Sequence, residues 1–320
     1  MKLLLNLMRL LSESDLNFIL NLTKKALGEK LPHSTKNKQF WRRMSSISSL
    51  KKISVPSCPS AGDISIYDKY IKKVFETKPD SSILMLGTTP KIRGLLQNIG
   101  ITNYIIADFS TRMMINNLNL SVNIDPEKEI WIKTDWTDLS SLLRPVNCVL
   151  GDLILNQFPP DEQSFFLEKI SMLLDDGGFF IIRDHVINKK IINFTPEQII
   201  TESLKGILQE NFRTVMATLF YRLRDKLRDA GKQTAIPTKI AKVLIAYRPD
   251  GELETRLLRS LLLEVLRRSR DNLEINAQTQ EELESMITKF FHIEEKTLAT
   301  DYEDAEYFPL YILKKKITTP

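Results

Sequence analysis

Four aspartates in this sequence stand where ligand chemistry would need them. Asp108, Asp135, Asp152 and Asp184 each follow a short apolar run typical of a buried strand. Ligands of open α/β sheets bind at the carboxyl ends of the strands, so these acids are expected at one edge of one sheet. His185 comes directly after the last of them, and an imidazole can accept a proton from a hydroxyl or an amine near neutral pH.

The first strand, turn and helix position the earliest of these acids. Ile83 to Leu86 is a continuous apolar run that stops at Gly87, where the backbone can turn sharply. Pro90 suits the first turn of a helix, and Gly100 is a plausible end for it. Asp108 then closes the second apolar run, about twenty residues beyond the glycine. This order predicts the first half of a nucleotide-binding unit, with an acid able to accept hydrogen bonds from both ribose hydroxyls.

The loop after the first strand indicates which ligand fits. The three-glycine fingerprint is missing, and Thr88-Thr89-Pro90 follows Gly87. A pyrophosphate needs close backbone approach at several points, which this loop does not offer. A ribose-bearing cofactor without phosphates therefore fits better than a dinucleotide. A strand–helix–strand unit that binds nothing remains the alternative from this stretch alone.

Further strand-like runs complete an α/β pattern. We predict strands at three places before residue 185 and a closing pair near the end, with a helix from Pro160 to about Leu174. The predicted strands are Ile130 to Lys133, Val146 to Leu150, Gly177 to Arg183, Phe291 to Leu298 and Tyr307 to Lys314.

The ordered series LMLGTTP, IIADFS, KTDWTDL, VLGDLILNQF and LLDDGGFFIIRD resembles the motifs of a class I S-adenosylmethionine-dependent methyltransferase. The resemblance covers about residues 81–185 and is to a divergent group whose first loop reads Gly-x-Thr-Pro. It implies an α/β fold with a Rossmann-like, doubly wound methyltransferase sheet, mostly parallel with a closing antiparallel strand pair. It also implies S-adenosylmethionine as cofactor. Lys91 departs from the family, in which an acid often follows the proline.

The resemblance implies contacts at both ends of the cofactor. At the methionine end, Gly87 and Thr88 would lie alongside the amino-acid part of the cofactor. Gly151 and Asp152 would face its sulfonium and its ammonium group.

At the nucleoside end, Asp108 would hold the ribose, and Phe109 or Met113 would pack against the adenine. Asp135 would bond the adenine amino group, with Trp136 beside the ring.

Residues 1–63 form a predicted helical arm that is strongly basic. Residues 1–60 hold eleven Lys and Arg against three acids, and Phe40-Trp41 lies among them. One interpretation is a nucleic-acid-binding arm. We favour the other, in which the arm lies over the cofactor cleft and Trp41 closes over the cofactor or seals the sheet. Either Tyr67 or Tyr70 from the next helix could reach the cofactor, and core packing is expected for at least one of them.

Residues 186–277 interrupt the predicted core, which we place at 64–185 and 278–320. Helical periodicity covers three stretches of this insertion: Pro196 to Asp229, Pro237 to Tyr247 and Leu253 to Arg268. At this point of the chain an insertion would cover the substrate end of the cleft, as a lid, or serve as an oligomerisation arm. Tyr221, Arg222 and Arg224 could bind an anionic substrate, but the interpretation we favour for them is a charged face in contact with solvent.

Composition excludes several other classes of protein. Two cysteines and three scattered histidines give neither a disulfide framework nor metal-ligand spacing, so no metal is predicted and a reducing, cytoplasmic location is favoured. No apolar run approaches the roughly 18 residues that span a bilayer. Arg9 interrupts the apolar N-terminus, which argues against an export signal.

These observations and the resemblance predict an S-adenosylmethionine-dependent methyltransferase acting on an oxygen or nitrogen of a small molecule. His185 and Asp184 are the best candidates for the base; the alternative for His185 is a capping or packing role where the insertion begins. Asn156 is not at the end of the fourth strand, so the signature of base-methylating enzymes is absent. One alternative is an RNA or protein methyltransferase that recruits its target through the basic arm. Another is a non-catalytic protein of this fold that acts in partner binding or as a homodimer.

Overall fold

The computed structural model describes residues 45–51, 53–121, 124–208, 210–269 and 275–316. Trp41 and most of the predicted N-terminal arm lie outside the described residues.

The described strands, in chain order, are β1 Ile83–Leu86, β2 Tyr104–Asp108, β3 Glu129–Lys133, β4 Val146–Asp152, β5 Leu174–Arg183, β6 Arg228–Asp229, β7 Thr234–Ala235, β8 Ile275–Asn276, β9 Phe291–Thr297 and β10 Leu310–Lys315.

The described α-helices are α1 Ile47–Leu50, α2 Ala61–Thr77, α3 Pro90–Asn98, α4 Thr111–Leu120, α5 Leu139–Leu142, α6 Pro160–Leu173, α7 Pro196–Lys205, α8 Phe212–Lys226, α9 Pro237–Ala246, α10 Glu252–Ser269 and α11 Gln280–Ile287.

Seven strands form one sheet in the order β3-β2-β1-β4-β5-β10-β9. The pairs among β1 to β5 are parallel, whereas β10 runs antiparallel to both β5 and β9. This arrangement confirms the predicted Rossmann-like methyltransferase sheet with its closing antiparallel pair. The strand order reverses at β1, so the carboxyl ends of β1, β2 and β4 border a crevice where ligands bind in such sheets.

The central strands are buried because helices cover both faces of the sheet. All four residues of β1 are buried, which is why the sequence there is continuously apolar. One face packs an aromatic series in which the rings of Phe158 and Phe166 stack at 4.4 Å. The other face packs against Tyr67, Tyr70 and Ile92 from α2 and α3. The two cores hold the strand ends rigidly, as a site built on them requires.

Helix α2 begins earlier than the sequence pattern predicts. The sequence places the start of the core at residue 64, yet its first helix, α2, begins at Ala61. The reason is a capping box, in which the Ser60 hydroxyl accepts from the Asp63 backbone N–H and the Asp63 carboxylate accepts from the Ser60 backbone N–H.

The insertion is helical as predicted, but its first stretch is two helices. Gly206 ends α7, and Asn211 caps α8 by accepting from the Arg213 backbone N–H at 2.9 Å. The strands β6, β7 and β8 form a small antiparallel sheet that the sequence reading missed, because two-residue strands leave no periodic signal. The helices α7, α8, α9 and α10 share a separate apolar cluster, which includes Leu219, Leu223 and Leu257.

Polar contacts tie the insertion to the core. Arg222 Nε donates to Asp304 at 2.6 Å, and its Nη2 donates to Glu303 at 2.6 Å, in the segment before β10. The hydroxyls of Ser54 and Thr214 are 3.0 Å apart, which joins α8 to the segment before α2. These contacts hold the insertion on the segment before β10 and on the segment before α2. In the described part of the chain, no helix has the length and apolar character that crossing a bilayer requires.

Candidate active site

A cavity of about 420 Å³ opens at the carboxyl ends of β1, β2 and β4. We call it the first cavity; its volume falls within the range of about 300–1,000 Å³ common for ligand sites. Eight of the residues singled out from the sequence line it: Gly87, Thr88, Asp108, Phe109, Met113, Asp135, Trp136 and Asp152.

Gly87 and Trp136 shape the floor of the first cavity. The φ angle of Gly87 is +75°, a left-handed conformation that favours glycine, and it turns the chain away from the end of β1. The carbonyl of Ala107 accepts from the backbone N–H of Gly87 at 2.9 Å and from Trp136 Nε1 at 2.8 Å. The two residues are thus fixed to the end of β2, with the indole against the turn.

Asp108 is a buried carboxylate with few donors. Within the described chain it accepts one hydrogen bond, from the backbone N–H of Ser110 at 2.8 Å. Burial raises the pKa of Asp108 to about 7, and this hydrogen bond opposes the rise. The site therefore has acceptor capacity that a ligand with hydroxyl donors would use.

Asp135 caps the short turn that carries Trp136. Its carboxylate accepts from the backbone N–H of Thr137 at 3.2 Å and from the Thr137 hydroxyl at 3.1 Å. The side chain is therefore oriented by its own turn while it lines the first cavity.

Asn117 and Lys91 are among the lining residues that sequence reasoning did not assign to the site. Asn117 on α4 donates from Nδ2 to the Thr88 hydroxyl at 2.5 Å and so orients that side chain. Lys91 donates to the carbonyl of Pro59 at 2.5 Å and joins α3 to the segment before α2. Neither contact has a local sequence signal, since the partners are tens of residues apart.

Asp152 belongs to a buried ion-pair group. Arg183 Nε donates to Asp152 at 2.7 Å, and Arg183 Nη1 donates to Asp63 at 3.2 Å. A guanidinium between two carboxylates fixes both, so Asp152 lines the first cavity in a set orientation.

Tyr67, Tyr70 and Gly151 do not line the first cavity. Tyr67 lies wholly inside the core, where its hydroxyl donates to the carbonyl of Gly151 at 2.5 Å and accepts from the backbone N–H of Arg183 at 3.0 Å. Tyr70 packs in the same apolar cluster. A Cβ on Gly151 would lie 2.5 Å from Ile154 Cγ1, so the glycine makes room for the turn that follows. These three residues support the site from behind.

A second cavity, of about 460 Å³, lies between that turn and the helices α8 and α10 of the insertion. It shares Ile53, Ser57, Leu153 and Gln157 with the first cavity. Leu153 has a φ of +54°, a left-handed conformation that is strained for a bulky residue. The strained residue thus stands at the boundary between the two cavities.

Asp184 and His185 lie behind the second cavity and do not line it. Asp184 Oδ2 accepts from the Leu155 backbone N–H at 2.7 Å, and its Oδ1 accepts from Asn156 Nδ2. Burial raises the pKa of Asp184 to about 8. The carboxylate therefore holds the turn that forms the wall between the cavities.

The imidazole of His185 is similarly occupied. A guanidinium can only donate, so His185 Nδ1 accepts from Arg224, and Nε2 faces Asp225 Oδ2 at 3.5 Å. Arg224 lines the second cavity and also donates to Asn156 Oδ1 at 3.3 Å. Within the described ranges, no group of three or more His, Cys, Asp or Glu is placed to hold a metal ion.

No protein-family model and no curated protein matches the sequence. A solved structure from Rhodobacter sphaeroides, named among "Putative Zn-dependent Alcohol Dehydrogenases", is similar with a TM-score of 0.55 and 15% identity, over 89% of this chain and 99% of that one. At this identity the similarity concerns the fold alone.

Two further solved structures have TM-scores below 0.5. The magnesium protoporphyrin IX methyltransferase of Synechocystis PCC 6803 with bound S-adenosylmethionine has 9% identity and a TM-score of 0.47, over 89% of this chain and 99% of that one. The N-methyltransferase NodS of Bradyrhizobium japonicum WM9 with S-adenosyl-L-homocysteine has 8% identity and a TM-score of 0.45, over 88% and 99%.

Proposed function

We propose that this chain, which has the class I methyltransferase fold, transfers a methyl group from S-adenosylmethionine to an oxygen or nitrogen of a small molecule. The observation that carries the proposal is the pair of cavities that meet at Leu153. A two-substrate transfer needs a cofactor site and an acceptor site that open into each other, because the reacting atoms must approach in line.

The residues of the first cavity fit the cofactor. The buried Asp108 carboxylate accepts one described hydrogen bond, and the ribose diol would supply two further donors. Phe109, Met113 and Trp136 offer apolar surface for the adenine. Asp152, fixed by Arg183, offers negative charge toward the methionine ammonium. When bound, S-adenosylmethionine supplies an electrophilic methyl group on a sulfonium.

The insertion acts in this proposal as a cover for the second cavity. Helices α8 and α10 form the wall opposite Leu153. The contacts of Arg222 with Glu303 and Asp304 hold that wall on the core. A fixed cover excludes water and selects acceptors by shape and charge. The alternative role in oligomerisation would be recognised as a concentration-dependent mass in light scattering.

We propose that Asp184 and His185 position other groups and do not touch the acceptor. Both carboxylate oxygens of Asp184 and the Nδ1 atom of His185 already accept hydrogen bonds inside the protein. Their effect would reach the second cavity through Asn156 and Arg224, whose side chains line it. This replaces the general-base role expected from the sequence with a supporting one.

Calorimetric titration with S-adenosylmethionine and S-adenosylhomocysteine tests the proposal. We expect both to bind the wild-type protein, and Asp108→Ala to abolish binding. The matched control is Asp80→Ala, which removes an exposed aspartate before β1. No binding by the wild type would overturn the enzymatic proposal and leave a non-catalytic protein of this fold.

A second candidate is an RNA or protein methyltransferase, favoured by the excess of Lys and Arg in residues 1–60. RNA binding with a steep salt dependence that is lost on removal of residues 1–44 would support it.

The two cysteines, which are both free thiols, fit a reducing location such as the cytoplasm.

A further inference from the structure

The side chains that line the second cavity carry an unequal charge. Among the described lining residues, Arg213, Arg224, Arg267 and Arg268 face one acid, Glu264. Even with Asp225 behind the wall included, positive groups outnumber negative ones. We infer that the acceptor is a small ring compound that bears an anionic carboxylate or phosphate, an inference that rests on the proposed methyl transfer.

Arg224 is a preorganised cation at the inner end of the second cavity. Its side chain is 2% exposed, and Asn156, His185 and Asp225 each hold one of its guanidinium nitrogens. The guanidinium lies over the ring of Tyr221, 4.6 Å from the centroid. Little side-chain entropy remains to be lost when an anion approaches a group held in this way.

Arg267 and Arg268 lie on α10 and share one carboxylate. Glu264 is 3.8 Å from Arg267 Nη1 and 3.4 Å from Arg268 Nη2. Among the described residues of this wall, two guanidiniums therefore accompany one carboxylate. Carboxylates and phosphates match the planar donor fork of arginine, so the wall is complementary to either anion.

The remaining walls favour a flat apolar ring. Phe212, Met216, Phe220 and Tyr221 line the second cavity, and Arg268 lies over the ring of Phe220 at 4.9 Å. Aromatic walls bind a ring by offset or edge contacts over a large area. A volume of about 460 Å³ accommodates a one- or two-ring compound.

The arginines and the aromatic walls together define the orientation of the acceptor ring in the second cavity. Arg224, Arg267 and Arg268 border only the second cavity, whereas Leu153 and Ser57 border both. An anionic group held by the arginines directs the opposite edge of the ring toward Leu153. That edge carries the oxygen or nitrogen that receives the methyl group.

The test uses the full chain saturated with S-adenosylhomocysteine. Saturation-transfer NMR compares benzoate, phenyl phosphate, benzamide and benzylamine, four ring compounds that differ mainly in the charge of one substituent. We expect benzoate or phenyl phosphate to bind at least about tenfold more tightly than benzamide, and benzylamine least tightly. The stronger of the two anions identifies the natural group. Equal binding of benzoate, phenyl phosphate and benzamide, or binding by neither anion, would overturn the inference.

Arg268→Gln and Arg259→Gln provide the matched pair of variants. Both substitutions remove one positive charge from α10, but Arg259 is exposed and does not line the second cavity. We expect about tenfold weaker anion binding in Arg268→Gln only. An equal loss in both variants would indicate a bulk charge effect and overturn the inference. A wild-type protein that does not bind S-adenosylhomocysteine would instead overturn the proposed function. Failure of the proposed function is thus distinguishable from failure of the inferred anion specificity.

Discussion

The guanidinium of Arg224 donates a hydrogen bond to Nδ1 of His185. The imidazole contacts two rings: it stacks on Tyr221 with the centroids 4.8 Å apart, and it meets Phe308 edge-on with the centroids 4.7 Å apart. The histidine is thus packed against two aromatic side chains, and its acceptor atom is occupied. Its part in the site is to aim the arginine at the second cavity.

His185→Leu and His185→Asn separate this positioning role from proton transfer. We expect His185→Leu to weaken benzoate binding to the S-adenosylhomocysteine-loaded protein by about tenfold, because Arg224 loses its acceptor. Asn offers an amide oxygen near the place of Nδ1 and should restore part of the affinity. Benzoate titrations of the three proteins check this. Unchanged affinity in His185→Leu would show that Arg224 does not depend on His185.

Asp108→Asn should change stability and ligand binding in opposite directions. The pKa of Asp108 is about 7 in the folded protein, above its unfolded value, so the ionised form is disfavoured by folding at pH 8. A neutral amide removes this cost, and we expect unfolding to require on the order of 1 kcal/mol more free energy. S-adenosylhomocysteine should bind more weakly because the amide is a poorer acceptor for ribose hydroxyls.

Urea unfolding and calorimetry at pH 8 measure both effects of Asp108→Asn, with Asp80→Asn as the exposed control. A variant that lost stability and affinity together would indicate a general disruption of the site.

Gly87→Ala and Gly94→Ala should have effects of opposite sign on stability. Gly87 has a φ of +75°, so alanine there should cost about 1–2 kcal/mol of unfolding free energy. Gly94 lies inside α3, and an added Cβ meets nothing within 4 Å. Alanine should therefore stabilise the helix by about 0.5–1 kcal/mol.

Urea unfolding curves of the two glycine variants make the comparison. Since Gly87 lines the first cavity and Gly94 does not, only Gly87→Ala should also weaken S-adenosylhomocysteine binding. Equal stability of the two variants would contradict the left-handed turn at Gly87.

The free energy of unfolding should fall as pH rises from about 4 to 8. Burial raises the pKa of Asp225 to about 6, of Asp108 to about 7 and of Asp184 to about 8. Between the unfolded and the folded pKa of each group, the folded chain binds more protons than the unfolded chain. The contribution of each group to the free energy of unfolding is therefore fully present below its unfolded pKa. It is lost as the pH rises through the folded pKa of that group.

Urea midpoints at about pH 5 and about pH 8 check the slope. Asp184→Asn should make the urea midpoint less dependent on pH near pH 8, since it removes the group with the highest of the three raised pKa values. A midpoint that rises over the same interval would contradict the raised pKa values.

The sheet and the first cavity could be predicted because their signals are local in sequence. Strand β1 is a continuous apolar run, and Gly87 and Asp108 follow the strand ends where ligands bind. The parallel sheet brings these ends together, and the resemblance to the methyltransferase motifs implied that Thr88 and Asp135 lie beside them.

The rest depends on contacts between distant residues, which spacing does not reveal. Tyr67 resembles a cofactor contact in sequence, yet its hydroxyl bridges Gly151 and Arg183 inside the core. His185 follows the fifth strand, as a base would, but Arg224 on the insertion occupies its acceptor atom. The second cavity likewise exists only where α8 and α10 meet the core.

The place of β10 between β5 and β9 has a consequence for synthesis on the ribosome. Strand β5 is made more than a hundred residues before β10, so its outer edge emerges unpaired. The insertion is translated during that interval, and its apolar cluster can be completed before the sheet is. The nascent chain therefore carries an open strand edge next to a folded helical unit, and this is the stage at which it most needs protection from aggregation.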